Sequence, residues 1–193
     1  FGLGSNTFNA LFGATLNPYD TTKTAGGSSG GAAVALATDM LPLADGSDMG
    51  GSLRNPASFC NVVGVRPSIG RTPMSRGFGW YGRLVTSGPM AKTVADASLL
   101  MSILAGPDTI DPLTLPESGD YFLDALVPAR CDPKNPIKVA VSEDLGTLPI
   151  ESSVRSVIQN TAQIFSDLGA HVTQDRPNLC LLYTSDAADD LGR

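Results

Sequence analysis

Two serines lie in glycine-rich stretches 24 positions apart, Ser28 within residues 26–31 and Ser52 directly after Gly50 and Gly51. Glycine lets backbone N–H groups approach a bound molecule closely, and it tolerates a positive φ. A hydroxyl beside several N–H donors suits acyl transfer, because the hydroxyl oxygen attacks a carbonyl carbon and the donors stabilise the resulting oxyanion. The two stretches therefore predict a serine nucleophile with a second serine close by.

The residues around Ser52 supply candidate oxyanion donors. Four consecutive backbone N–H groups are predicted to converge on the developing charge, and they belong to Met49, Gly50, Gly51 and Ser52. Ser29 has two interpretations. Its hydroxyl either caps the helix that the alanine-rich residues 30–38 predict, or contacts the reacting group of the substrate.

In this order and at this spacing, the serine loops resemble the amidase signature family. The resemblance is close over about the first 106 residues, and the further matching stretches are residues 5–8, 17–20, 59–64 and 88–90. It implies that Ser52 attacks an amide carbonyl and that Ser28, on a cis peptide bond, relays the proton. It also implies a lysine base well upstream of Ser28. Only 27 residues precede Ser28, so we expect that lysine to lie outside this sequence.

Three charged residues near the serines have different expected roles. The resemblance implies that Asp48 organises the Ser52 loop and that Arg54 is its buried or partly buried partner, with a surface ion pair as the alternative. Lys23 precedes the first glycine stretch and is expected to be a solvated loop charge rather than the base.

Rival motifs fit less well. Residues 26–30 also match the G-x-S-x-G elbow of α/β-hydrolases, but the preceding residues are polar, and the single histidine, His171, falls in a predicted strand. A phosphate loop would need a Lys-Ser or Lys-Thr pair after the glycines, which is missing. Cys60 is predicted to be a core residue rather than a nucleophile.

Composition limits the partners. The 193 residues are 42% hydrophobic and carry a formal net charge of −6, which fits a mildly acidic globular chain and argues against nucleic-acid binding. No apolar run approaches the roughly 18 residues that span a bilayer, so no membrane partner is expected. We expect a small-molecule amide substrate, and a homo-oligomer is left open.

Cysteine usage bears on location and cofactors. The three cysteines are odd in number and widely spaced, which argues against a disulfide framework and against a zinc site. A reducing cytoplasm is therefore the expected location, and neither a metal nor another cofactor is expected.

Periodicity predicts an α/β fold, and the resemblance implies an amidase-signature fold with a mixed β-sheet core flanked by helices, incomplete in this sequence. The predicted strands are residues 41–44, 62–65, 137–141 and 171–173. The predicted helices are residues 30–38, one beginning near Pro56, one after Thr93 and Asp96, one near 121–127 and one spanning 154–168. The last strand–helix–strand run predicts parallel pairing.

The domain bounds, the last residues and one aromatic stretch carry further predictions. Residues 1–179 are expected to form one partial amidase-signature domain, and the proline-rich residues 107–136 are not taken as a domain boundary. Residues 180–193 show no apolar period and resemble a translated library adapter, so a non-native or disordered tail is expected.

The aromatic residues between 71 and 89 predict either an acyl pocket or a packed loop.

The hypothesis from sequence is hydrolysis of a carboxylic amide through an acyl-serine intermediate on Ser52. One alternative is the amidase subunit of a glutamine-dependent tRNA amidotransferase. Another is a non-catalytic scaffold or interaction protein of the same fold.

Overall fold

The computed structural model describes residues 4–74, 84–126, 132, 134–146 and 148–176. The chain divides into two compact units, Phe1–Val127 and Pro128–Arg193. The division falls within the proline-rich residues 107–136, which the sequence pattern does not mark as a boundary. The single partial domain over residues 1–179 stays a prediction, and the predicted tail, residues 180–193, lies outside the described residues.

Short strands and helices alternate in the first unit. Among the described residues its strands are β1 (Phe8–Asn9), β2 (Gly13–Ala14), β3 (Leu43–Asp48), β4 (Val63–Gly64) and β5 (Thr86–Ala91). Its helices are α1 (Gly30–Ala37), α2 (Arg54–Phe59), α3 (Val94–Leu104) and α4 (Tyr121–Asp124). The four helices expected in this region are confirmed, and α2 has Pro56 in its first turn, where a missing N–H donor costs little.

The sheet of the first unit is antiparallel, in the order β3-β5-β4. Its central strand, β5, is missing from the sequence-based predictions because Gly88 and Pro89 are typical of turns rather than central strands. The Pro89 carbonyl accepts a hydrogen bond from the Val65 N–H at 3.0 Å, just beyond the end of β4. In an antiparallel pair a residue's N–H and C=O point to the same side, so the missing Pro89 N–H also falls where β4 has ended. The ladder tolerates Pro89 for that reason.

The core of the first unit is small and lies between α1, α2 and β5. Its members are buried apolar side chains, namely Ala25, Ala33, Leu36, Leu53, Ala57, Cys60 and Met90. The alanines of α1 let the helix pack closely against the sheet. This core positions the two serine loops, because one ends at the start of α1 and the other at the start of α2.

Helix α3 begins as the sequence predicts. The Thr93 hydroxyl accepts a hydrogen bond from the Asp96 N–H at 3.1 Å and also bonds the Asp96 carboxylate at 2.7 Å. The first bond satisfies an N–H group that a helix leaves free at its first turn, and the second fixes the Thr93 hydroxyl in place. Gly106 follows the helix with φ of +140°, so the chain turns away there.

The second unit contains a strand–helix–strand run. Strand β6 (Lys138–Val141) and strand β7 (His171–Gln174) flank helix α5 (Ser152–Asp167) and pair in parallel, with Lys138 opposite His171. The predicted parallel pairing is confirmed. With the antiparallel ladder of the first unit, it gives the α/β class that the sequence predicts.

Candidate active site

The first serine turn is compact and has little room for side chains. Gly26 has φ of +77°, and the peptide bond between Gly27 and Ser28 is cis, the form that the family resemblance implies for this serine. A methyl group on Gly27 would collide with the backbone of Asn6. The turn therefore depends on glycine at two consecutive positions, for conformation at the first and for close packing at the second.

The hydroxyl of Thr7 lies against this turn. Its Oγ1 is 3.0 Å from the Gly26 carbonyl oxygen, 3.2 Å from the Ser28 carbonyl oxygen and 3.0 Å from the Gly30 nitrogen. Gly30 is the first residue of α1, so Thr7 accepts a hydrogen bond from one of the N–H groups that a helix leaves free at its start.

Ser29 occupies the N-cap position of α1 without capping it. Its side chain makes no cap hydrogen bond, so the N-cap interpretation of the Ser29 hydroxyl is wrong. The hydroxyl lies 3.5 Å from the Ser47 carbonyl oxygen instead. A methyl group on Gly46 would sit 2.7 Å from Ser29 Oγ, so glycine at position 46 leaves space for this hydroxyl.

The Ser52 loop follows β3 and turns sharply at Gly51, where φ is +117°. The Gly51 N–H donates to Asp48 Oδ1 at 2.7 Å. The prediction of four converging oxyanion donors therefore needs correction, because the carboxylate occupies the Gly51 donor. Among the described residues, the N–H groups of Met49, Gly50 and Ser52 donate no hydrogen bond and are free for a ligand. Met49 and Gly50 are both exposed.

Asp48 is completely buried at the base of the loop. Its carboxylate accepts hydrogen bonds from the N–H groups of Gly51, Leu53 and Arg54. The Arg54 guanidinium adds two bonds, from Nε to Oδ2 at 2.9 Å and from Nη2 to Oδ1 at 3.1 Å. The Arg54 side chain is 53% exposed, so it covers the carboxylate from the solvent side.

These contacts decide the charge state of Asp48. Burial alone would raise the pKa of its carboxyl group, but the Arg54 guanidinium and three backbone N–H groups outweigh that effect and hold the pKa well below its ordinary value. The same contact raises the pKa of Arg54. Asp48 is therefore an anion at neutral pH, and the loop closes around a fixed negative charge.

A second arginine reaches the same carboxylate. Arg66 Nε lies 3.5 Å from Asp48 Oδ1, and Arg66 Nη2 donates to the Leu84 carbonyl oxygen at 2.7 Å. Sequence reasoning missed Arg66, since an arginine before Pro67 has no motif of its own. It likewise missed Gly46 and Thr7, whose importance depends on the folded geometry.

The two serine loops meet through their backbones. The Ser29 N–H donates to the Ser52 carbonyl oxygen at 3.0 Å, so Ser28, Ser29 and Ser52 lie in one region although 24 positions separate the outer two. The candidate site thus combines two serine hydroxyls, free backbone donors and a buried anion that shapes one loop.

Comparison with known proteins places this arrangement in a family. The family model described as Amidase matches residues 1–183. The chain belongs to the amidase family. An acylamidase of Rhodococcus erythropolis is 38% identical over 176 residues, which cover 91% of this chain and 36% of that protein. A glutamyl-tRNA(Gln) amidotransferase subunit of Thermus thermophilus is 39% identical over 176 residues, which cover 90% and 36%.

Solved structures give the same result for the fold of this amidase-family chain. The crystal structure of a bacterial aryl acylamidase of the amidase signature enzymes family superimposes with a TM-score of 0.81 at 36% identity, covering 89% of this chain and 34% of that one. The amidase-signature fold predicted from the sequence is confirmed. The chain spans about a third of the length of these relatives.

Several other residues have roles apart from the serines of this amidase-family chain. Cys60 is buried, with Sγ 3.7 Å from the Ala25 carbonyl oxygen, and burial raises the pKa of its thiol, as suits a core residue. Lys23 is 72% exposed and pairs with Asp20 at 3.5 Å. His171 lies in strand β7, and its side chain is exposed.

The aromatic stretch predicted as an acyl pocket or a packed loop lies only partly within the described residues. Met74 is half-buried and its N–H donates to the carboxylate of Asp111, whereas Phe78, Trp80 and Tyr81 of the predicted acyl pocket lie outside the described residues.

Every helix within the described ranges is too short or too polar to cross a bilayer.

Proposed function

We propose that the protein containing this chain hydrolyses carboxylic amides, with Ser52 as the nucleophile. The observation that carries the proposal is the Ser52 loop. A buried carboxylate and a positive-φ glycine hold it in a turn whose remaining N–H groups are unpaired among the described residues. Family membership supports the same chemistry. No metal or cofactor enters the proposed reaction.

In the first half of the reaction Ser52 Oγ attacks the carbonyl carbon. Its proton passes through Ser28 towards the lysine that the family resemblance implies upstream. The carbonyl electrons move to the oxygen, and the N–H groups of Met49, Gly50 and Ser52 stabilise that oxyanion. When the tetrahedral intermediate collapses, the C–N bond breaks and Ser28 delivers the proton to the leaving nitrogen.

The second half regenerates the serine. Water attacks the acyl-serine ester, the ester C–O bond breaks, and a proton returns to Ser52 Oγ. The balance is amide plus water giving carboxylic acid plus amine. Ser29 Oγ, which lies 3.5 Å from the Ser47 carbonyl oxygen, is proposed to contact the reacting amide.

The test is amine release from a panel of aryl and alkyl amides by the protein that contains this chain. We expect Ser52→Ala to lower kcat by several orders of magnitude, as loss of a nucleophile does. Ser28→Ala should cost less but still a large factor, on the order of 10²–10⁴, as loss of general acid–base relay does. Ser58→Ala is the matched control, because Ser58 is an exposed residue of α2.

Two outcomes would contradict the proposal. Near wild-type kcat in a folded Ser52→Ala variant would remove Ser52 as the nucleophile. A folded wild-type protein that releases no amine from any amide would instead favour the non-catalytic scaffold.

A second candidate function has a specific observation behind it. The Thermus thermophilus relative is as similar to this chain as the acylamidase is, which supports an amidase subunit that releases ammonia from glutamine within a tRNA amidotransferase. Partner subunits that co-purify with the protein, together with ammonia release from glutamine in preference to aryl amides, would favour this candidate. A homo-oligomer without other subunits would favour the acylamidase-like enzyme. Either enzyme is proposed to act in the cytoplasm.

A further inference from the structure

Thr7 lies outside both serine loops yet contacts the Ser28 turn at three points. One hydroxyl can donate a single hydrogen bond and accept two. Here it accepts from the Gly30 N–H and donates to the carbonyl oxygen of Gly26 or of Ser28, at 3.0 and 3.2 Å. The contacts fall on both sides of Ser28, so the hydroxyl spans the turn that carries the proposed relay.

Backbone packing reinforces this contact. Asn6 lies so close to Gly27 that a Cβ there would collide with its backbone, and a Cβ on Gly30 would collide with Thr7 Oγ1. Thr7 itself is anchored by the β1–β2 hairpin, because its carbonyl oxygen accepts a hydrogen bond from the Thr15 N–H at 2.8 Å. Residues 6 and 7 therefore form a fixed support against which the serine turn rests.

Thr7 also contacts the first residue of α1. A capping serine accepts a hydrogen bond from the second or third N–H group of its helix, and the Ser29 hydroxyl makes no such bond. Thr7 accepts from the first N–H group of the helix, that of Gly30, while the Ser29 hydroxyl lies near Ser47. One threonine thus holds the turn of Ser28 and joins it to the start of α1.

We propose that Thr7 is the positioning residue of the Ser28 turn, and that its hydroxyl sets the place from which Ser28 passes the proton between Ser52 and the leaving nitrogen. The proposal rests on the proposed function, in which Ser28 is the relay. Thr7 makes its three side-chain contacts with backbone atoms of Gly26, Ser28 and Gly30. It acts through Ser28 alone, so its removal should lower kcat and leave KM nearly unchanged.

The test compares Thr7→Val and Thr7→Ser in the protein that contains this chain. Valine has almost the shape of threonine without the hydroxyl, whereas serine keeps the hydroxyl. We expect Thr7→Val to lower kcat by about 10- to 100-fold, since a displacement of about 1 Å in a catalytic group can cost about 10²-fold. Thr7→Ser should stay within about threefold of wild type, because the three contacts of the hydroxyl are preserved.

The matched control is Thr38→Val at the other end of α1. The Thr38 hydroxyl also bonds a backbone carbonyl, that of Val34 at 2.7 Å, but it lies away from both serine loops. Thr38→Val should leave kcat unchanged. If it lowers kcat as much as Thr7→Val does, a general loss of helix stability explains the result and the proposal is overturned.

Combination with Ser28→Ala separates the two proposals. If Thr7 acts through Ser28, adding Thr7→Val to Ser28→Ala should cost little more activity, since the relay is already lost. Full additivity of the two losses overturns the role of Thr7 while leaving Ser28 as the relay. Wild-type activity of Ser28→Ala itself contradicts the proposed function instead. Should Thr7→Val not fold, a fall in kcat of about 10-fold or more in a folded Thr7→Ser variant would still overturn the proposal.

Discussion

Charge holds the Ser52 loop, whereas a neutral hydroxyl and close backbone packing hold the Ser28 turn. In the first, a buried carboxylate gathers three N–H groups and the guanidinium of Arg54. In the second, Thr7 bonds the turn on both sides and Gly27 rests on Asn6. Two loops that meet in one candidate site can therefore respond to different changes of solvent and sequence, and the following predictions separate them.

The largest effect is expected from Asp48→Ala. This variant leaves the N–H groups of Gly51, Leu53 and Arg54 without their acceptor and leaves Arg66 without its anion. We expect the free energy of unfolding to fall by about 3 kcal/mol or more, as when one partner of a buried pair is removed. Urea unfolding of the protein that contains this chain measures it.

Asp45→Ala is the control for that experiment. Asp45 lies on the same strand, β3, but its side chain is exposed, so a change of no more than about 0.5 kcal/mol is expected. Equal losses for the two aspartates would show that Asp48 is no more than an ordinary strand residue.

For the Ser28 turn, Gly27→Ala should cause the next largest loss. The added methyl group collides with the backbone of Asn6, which has no flexible end to move aside, so the cost is about 1–3 kcal/mol. Activity should fall with it, because the turn must shift. Gly31→Ala is the matched control. A Cβ at Gly31 meets open space in helix α1, and a gain of roughly 0.5–1 kcal/mol is expected there. If Gly27→Ala and Gly31→Ala change the free energy of unfolding in the same direction, close packing against Asn6 does not explain the effect at Gly27.

Acid should affect the two loops differently. The folded state lowers the pKa of Asp48, so its carboxylate stabilises the fold fully above the unfolded-chain pKa of about 3.9 and loses that contribution as the pH falls towards the folded value. The difference in unfolding free energy between wild type and Asp48→Asn should therefore shrink steadily below about pH 5.

The corresponding difference for Thr7→Val should stay constant, since no proton is bound or released at a hydroxyl in this range. Urea midpoints for both pairs between pH 7 and pH 3 provide the comparison. A constant Asp48→Asn difference over that range would mean that the carboxylate does not hold the loop by its charge.

The smallest effect is expected from Ser29→Ala. Loss of an N-cap serine typically costs about 1 kcal/mol, but the Ser29 hydroxyl caps nothing and its nearest partner is 3.5 Å away. We expect a stability change below about 0.5 kcal/mol. A full capping penalty, measured by thermal unfolding beside wild type, would show that the Ser29 hydroxyl does cap α1.

Sequence predicts the parts of this fold that depend on local signals. Helix α3 follows from Thr93 and Asp96, three positions apart, and the β6–α5–β7 run follows from apolar periodicity. Strand β5 escapes prediction because Pro89 is excluded from central strands unless the neighbouring strand has already ended, and that is visible only in the folded sheet.

In the candidate site, too, some features can be predicted from the sequence and others cannot. The glycine loops around Ser28 and Ser52 can be recognised from their spacing, but the capping of α1 cannot. Ser29 is the local choice for the cap, yet its hydroxyl bonds no helical N–H, and a threonine 23 positions from Gly30 accepts the first N–H of α1. The Gly51 N–H is a reasonable oxyanion donor from sequence, but the folded loop turns it onto Asp48. Residue types and spacing predict neither outcome, because each depends on where the folded loops place their N–H groups.

The hydrogen bond from the Ser29 N–H to the Ser52 carbonyl oxygen uses main-chain atoms only. Side-chain replacement at Ser52 or Ser28 therefore leaves this link between the loops in place. A protein engineer who replaces Ser52 with cysteine, to trap a thioester or to attach a reporter group, would exchange the reactive atom while retaining that link. The main-chain bond thus fixes the two loops to each other, and it does not depend on which reactive side chain position 52 carries.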